Sequence, residues 1–198
     1  MDDVKTEIAA HAARLVVEEG LPYGAAKQRA AKQLGLARPE WPGNEAVEAA
    51  VREYIELFCG DTQPAELRTL RQIAVRWMQR LEAFRPHLAG AVWHGTATKL
   101  TDIDLHLFCD DSKAAEIALI DHGVRYQPRI QTGFQGKPVD CLSLNQPSTE
   151  LQCQVGIHLH IYDHDDFRGA LKPDAQGRTP RGNMAAVQAL LEKAAHDA

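Results

Sequence analysis

No run of apolar residues in the chain approaches the roughly 20 needed to cross a bilayer. The N-terminus opens on Asp2 and Asp3, not on a basic segment followed by an apolar one. Secretion and membrane insertion are therefore not expected. The four cysteines, Cys59, Cys109, Cys141 and Cys153, contain no C-x-x-C pair, which argues against a zinc ribbon or a disulfide framework and makes a reducing cytoplasm the simpler setting. Positive charge is also short. Against 27 Asp plus Glu stand 22 Lys plus Arg, a formal charge of −5, so nucleic acid would be attracted only through a local basic patch. Gly-x-Gly-x-x-Gly, a Walker-type loop and a Gly-x-Ser-x-Gly elbow are all missing, which removes support for dinucleotide enzymes, P-loop enzymes and common serine hydrolases. No internal repeat or low-complexity tract is present.

What is present reads as a globular protein. Of the 198 residues 44% are apolar and 25% charged, enough to bury a core in one domain or two small ones. The first 85 residues are rich in Ala, Glu, Arg, Gln and Leu, with widely spaced Gly and Pro, and predict helices near 2–19, 23–35, 44–59 and 63–85. The fourth has a continuous apolar stripe of Leu67, Leu70, Ile73, Ala74, Trp77, Met78, Leu81 and Phe84. Its other positions include Arg68, Arg71, Arg76, Arg80 and Arg85, which read either as a solvated face or as a surface for phosphate or nucleic acid. From residue 88 the pattern changes to short alternating runs. Strands are expected near 89–94, 102–109, 124–130, 138–144 and 151–162, with helices near 112–122 and 183–196. The expected organisation is an N-terminal helical region, 1–60, followed by an α+β domain, 61–198.

The most informative stretch runs from His94 to Phe108. Side chains alternate along a strand, so Ile103, Leu105 and Leu107 belong to the core while Asp102, Asp104 and His106 share the other face. Two carboxylates about 7 Å apart along a strand repel unless a cation neutralises them. A hard divalent ion such as Mg²⁺ suits them. A third acid, Asp140, interrupts the apolar pattern of Lys137 to Leu144, where an unpaired carboxylate is costly to bury. Three aspartates from two neighbouring strands would make a site for one or two metals. The bland alternative makes Asp102 a turn cap, Asp104 solvent-facing and Asp140 a hairpin-end residue. Upstream, Ala91-Val92-Trp93 leads into His94-Gly95-Thr96, where a glycine lets the backbone approach phosphate oxygens and a hydroxyl adds a donor.

The order apolar strand, Gly-Thr, linker, Asp-Ile-Asp-Leu, then a strand bearing one Asp, resembles the nucleotidyltransferase superfamily that shares the DNA polymerase β palm. The resemblance covers roughly residues 63–162. It implies a nucleotidyltransferase-like mixed sheet with flanking helices. Gly95 and Thr96 would hold the triphosphate, Asp102 and Asp104 would bind two Mg²⁺ ions, and Asp140 would complete the metal site. Lys99 would add positive charge to the phosphate turn. The implied activity moves an NMP group from an NTP to a hydroxyl acceptor, whether small molecule, protein or RNA end, with release of pyrophosphate. The family usually has Ser where Thr96 stands, and the five residues between Thr96 and Asp102 are fewer than it commonly has. The alternative is a catalytically inactive binding or regulatory module of the same fold.

The last expected strand, Leu151 to Tyr162, places Gln152, Gln154, His158, His160 and Tyr162 on one face. His-x-His on a strand is also a way to hold a transition metal, with His106 or His164 joining. An outward polar face, or substrate contacts in a transferase cleft, explains the same residues. The basic positions Arg168, Lys172, Arg178 and Arg181 read as a surface loop or as a flexible segment over a nucleotide phosphate.

Overall fold

The computed structural model describes residues 2–37, 39–174 and 177–196, and the chain divides into two compact units, 1–66 with 96–100, and 67–95 with 101–198. In the first unit, α1 (Asp2–Glu19), α2 (Tyr23–Gln33) and α3 (Asn44–Phe58) form a small helical array. Gly20, at φ +69°, turns the chain out of α1, and Pro22 caps α2 in extended conformation. Gly43, after the Pro-containing loop, caps α3. The apolar positions meet as Ile8, Ala12, Leu15, Ala26, Ala30, Val47, Val51 and Ile55, all buried. The first turn of α4 (Gln63–Arg80) holds the 96–100 segment: the Gln63 side-chain amide donates to the Ala97 carbonyl at 2.8 Å, and Lys99 N–H donates to Glu66 at 2.9 Å.

The second unit is built on a six-stranded mixed sheet of β1 (His87–Ala89), β2 (Ile103–Cys109), β3 (Gln127–Thr132), β4 (Pro138–Ser148), β5 (Cys153–Asp163) and β6 (Arg181–Gly182). The order is β3-β4-β5-β2-β1-β6, with β2 and β5 the parallel pair. The α+β class and the helical N-terminal half agree with the sequence reading. One expected element is corrected: 89–94 is not a strand. Gly90, at φ +67°, ends β1, and residues Gly90–His94 form a short helix, α5, which stops at Gly95, φ +85°. The alternation of Ala91-Val92-Trp93 is too short to override a left-handed glycine at each end. α6 (Ser112–Asp121) links β2 to β3, and α7 (Phe167–Ala170) and α8 (Met184–His196) complete the unit.

The sheet has two unlike faces. One is the core: Ile103, Leu105 and Leu107 of β2 stand beside Ile157, Leu159 and Ile161 of β5 and Leu142 and Leu144 of β4, nearly all fully buried. Trp77 of α4 reaches this side, its indole donating to Gln146 at 2.6 Å. The other face is polar. Among the described residues no helix is long and apolar enough to cross a membrane. Leu105 lies at the centre of the core face, so Leu105→Ala is expected to cost about 2–5 kcal/mol in urea unfolding. A loss under about 1 kcal/mol would contradict this placement of the core.

Candidate functional site

Strand pairing assembles the polar face in rungs. Gln127, Ser143, His158, Asp104, Ala89 and Arg181 lie in register across all six strands, and Arg129, Cys141, His160, His106 and His87 form the next rung. Directly opposed residues of neighbouring strands point to the same side. Asp104 therefore sits among polar side chains contributed by strands far apart in sequence.

Asp102 precedes β2 by one residue and turns toward β5. One carboxylate oxygen meets His158 Nε2 at 3.0 Å, and the other accepts the Gly156 N–H at 3.2 Å. A Cβ at Gly156 would overlap that carboxylate, so glycine is what permits the approach. The other ring nitrogen of His158, Nδ1, is 2.9 Å from the Ser143 hydroxyl. Asp102 raises the His158 pKa to about 10, with Cys141 adjoining. The ring is thus cationic at neutral pH, donating to both Asp102 and Ser143. In return His158 holds the Asp102 carboxyl below its usual range. Asp104 pairs with His160 at 3.2 Å. On its other flank lies Gly90, where an added Cβ would come within 2.9 Å of Asp104 Oδ2. The two carboxylates remain 54% and 39% exposed.

The third expected ligand is elsewhere. Asp140 is paired with Ile161, not with a histidine, and so projects from the core side of the sheet, near Lys113 and Glu116 of α6. The alternation of β4 runs without a bulge from Pro138 to Ser148, so no shift brings Asp140 round. Its proposed membership of the Asp102–Asp104 metal site is corrected on that ground. The position beside Asp104 on the neighbouring strand belongs to His158.

Gly95 and Thr96, expected to form a phosphate turn, are both engaged in packing. Gly95 closes α5, where Arg71 donates to the Val92 carbonyl at 3.1 Å and to the Trp93 carbonyl at 3.2 Å. A carbonyl-rich helix end attracts cations, not phosphate. Thr96 is buried in the helical unit with its hydroxyl against the Tyr23 phenol, and Lys99 belongs to the same unit. As Gly156 is the glycine against Asp102, Gly90 is the one against Asp104. Its signal in the sequence, a glycine directly after an apolar run, was present but overshadowed by Gly95-Thr96.

Farther along the same face the site closes over. His106 lies beneath Phe134 and beside Tyr162 and His160, and burial among other cationic groups holds its pKa well below the usual histidine value. Arg181 is 5% exposed, its guanidinium 4.3 Å over the Phe134 ring, and its Nε and Nη1 find no acceptor among the described residues. Opposite this closed end, Asp102, Gly156, His158, Ser143, Asn145, Gln127, Arg125 and Arg129 line an open cleft of about 510 Å³.

Among the described residues no three His, Cys, Asp or Glu side chains converge to hold a metal. Asp102 and Asp104 offer exposed carboxylate oxygens, the donor type a hard divalent ion takes. They do not form the three-carboxylate cage expected from the sequence.

Comparison with known proteins adds little. No protein-family model matches the chain, and no curated protein does. Among solved structures it is similar to Cid1 poly(U) polymerase, in a crystal form with MgGTP bound, over 51% of this chain and 32% of that one, at 13% identity and a TM-score of 0.35. A likeness at that level bears on neither activity nor substrate.

The His158–Asp102 pair makes stability pH-dependent in a definite sense. The histidine is raised on folding, so its contribution is complete below the unfolded value of about 6.5, declines above it, and is gone once pH passes about 10. Asp102 sets the acid limit, because its lowered pKa means the contribution disappears as pH falls through that value. Urea midpoints of wild type and His158→Gln should differ more at pH 6 than at pH 10.5; an equal difference would contradict the pair. Gly156→Ala should push Asp102 away and return the His158 ring toward an ordinary titration by NMR. An unchanged titration would show that the carboxylate does not depend on this glycine.

Proposed function

We propose that the chain transfers a nucleotidyl group from an NTP to a hydroxyl acceptor with release of pyrophosphate, dependent on Mg²⁺. The observation that carries this reading is the pair Asp102 and Asp104, exposed on one face of the sheet with Asp104 against the Gly90 turn. Asp102 and Asp104 would hold Mg²⁺, which would offset negative charge and lower the pKa of the attacking hydroxyl.

The protein's own groups then divide the work. Gly90, without a side chain beside Asp104, would let phosphate oxygens approach from the β1 side. The acceptor oxygen bonds to the α-phosphorus as the bond from that phosphorus to the bridging oxygen breaks and pyrophosphate leaves. The hydroxyl proton passes to one of the two carboxylates. His158 holds Asp102 in place, and its positive charge stands where the sequence reading expected a third acid.

That last feature favours a second reading. Both Asp102 oxygens already have partners, so a divalent ion must compete with a cationic histidine, and a chain that loses this competition is a binding or regulatory module without transfer. The readings separate by experiment. Under transfer, Asp102→Asn and Asp104→Asn each lower Mg²⁺-dependent labelling of acceptor from radioactive NTP by at least about a hundredfold, while Asp140→Asn retains it. Calorimetric titration of ATP, GTP, CTP and UTP in Mg²⁺ shows binding of at least one. Full labelling by the Asp102→Asn/Asp104→Asn variant would refute transfer, and absence of binding to all four nucleotides would favour the module.

A further inference from the structure

The acidic pair has two flanks, and only one is taken up by the donor side described above. Gly90 approaches Asp104 from β1. The 510 Å³ cleft opens on the opposite flank, across β5, β4 and β3, and its volume lies within the usual range for small-molecule sites. From β2 to β3 is three strand spacings, roughly 14 Å. One end of the cleft is the Asp102 carboxylate, and the other is the edge strand.

The charge along that span is uneven. Among the described residues Asp102 is the only acid lining the cleft, against His158, Arg125 and Arg129. Asp102 is paired with His158 at 3.0 Å, and the two arginines stand at the far end. Both are exposed, and among the described residues neither pairs with a carboxylate; Arg129 reaches only the Gln127 side chain, at 3.3 Å. Register places Gln127 and Arg129 on the same side of the sheet as Ser143, His158 and Asp104. Neutral donors and acceptors, Asn145, Gln127 and Ser143, lie between the charged ends. Planar guanidinium groups without a carboxylate partner, at a fixed distance from a hydroxyl-activating centre, match a phosphate ester better than a neutral or cationic group.

We propose that this cleft is the acceptor site and selects a hydroxyl compound bearing a phosphate ester, with Arg125 and Arg129 holding the phosphate and the hydroxyl lying toward Asp102. This rests on the transferase reading. The shared chemistry, a sugar hydroxyl with a phosphate on the same residue, occurs both at the end of a polynucleotide and in a free sugar phosphate.

The test measures binding without NTP, so that it does not depend on transfer. Ribose 5-phosphate, ribose and a short single-stranded oligoribonucleotide with a free 3′-hydroxyl are titrated into wild type and Arg125→Gln/Arg129→Gln, both exposed positions, by calorimetry and, for a labelled oligonucleotide, by anisotropy. Wild type binds a phosphate-bearing probe at least tenfold more tightly than ribose, and the double variant loses at least tenfold. For the oligonucleotide, the slope of log affinity against log salt falls by about 1.4 in the double variant, the value for two lost phosphate contacts on a single strand. Tighter binding of the oligonucleotide assigns the polynucleotide end, and equal binding assigns the small sugar phosphate. Ribose binding as well as ribose 5-phosphate, no binding of any probe, or unchanged affinity in the double variant would overturn the proposal. Absent transfer by wild type with retained, arginine-dependent probe binding counts against the reaction and not against the cleft.

Discussion

The contact on which the polar face depends is the approach of the Asp102 carboxylate to Gly156 and His158. A carboxylate at the mouth of a parallel strand pair would ordinarily turn into water. Here a missing side chain at residue 156 lets it settle against the β5 backbone, and a histidine two residues farther on neutralises it. The same contact protonates His158, which in turn donates to Ser143 on the next strand. One glycine thus connects three strands through a single charged chain of hydrogen bonds, and sets the charge that an incoming ion or substrate meets. In a setting of reduced dielectric such a chain is costly to leave half-satisfied, so the position of Asp102 and the charge of His158 stand or fall together.

The sheet sorts chemistry by alternation. Along β2 and β5, Ile103, Leu105, Leu107, Ile157, Leu159 and Ile161 point into the core, while Asp104, His106, Phe108, His158, His160 and Tyr162 stand opposite. The two ends of the polar face then differ in access. Phe134 and Tyr162 close over His106 and Arg181 at one end, while Asp102, Asp104 and the arginine-rimmed cleft stay open at the other. The open cleft reaches Asp102 across β4 and β3.

Periodicity made much of this legible beforehand. The helical N-terminal half, the switch to strands after residue 85, the common face of Asp102, Asp104 and His106, and the outward face of His158 and His160 all follow from residue spacing, because alternation in a strand is a local property. What spacing cannot supply is pairing. Asp140 occupies a suitable position in a suitable strand, yet its side of the sheet is decided by the register of β4 against β5, a non-local fact. Gly95-Thr96 had the residue types of a phosphate turn, whereas the turn that meets Asp104 is opened by Gly90, five residues earlier. The misreading of 89–94 as a strand hid it. The roles of Gly156 and Arg181 were illegible for the same reason, since each acquires its meaning only from the strand beside it.

The central claim is that Asp102 and Asp104 together hold a divalent ion between protein and nucleotide phosphates. Anomalous scattering from crystals grown with Mn²⁺ and a non-hydrolysable NTP analogue tests it most directly. The account predicts an anomalous peak within bonding distance of both carboxylates, with the analogue's phosphates on the Gly90 side. A peak held by the histidines alone, or bound analogue with no peak at the acidic pair, would contradict it.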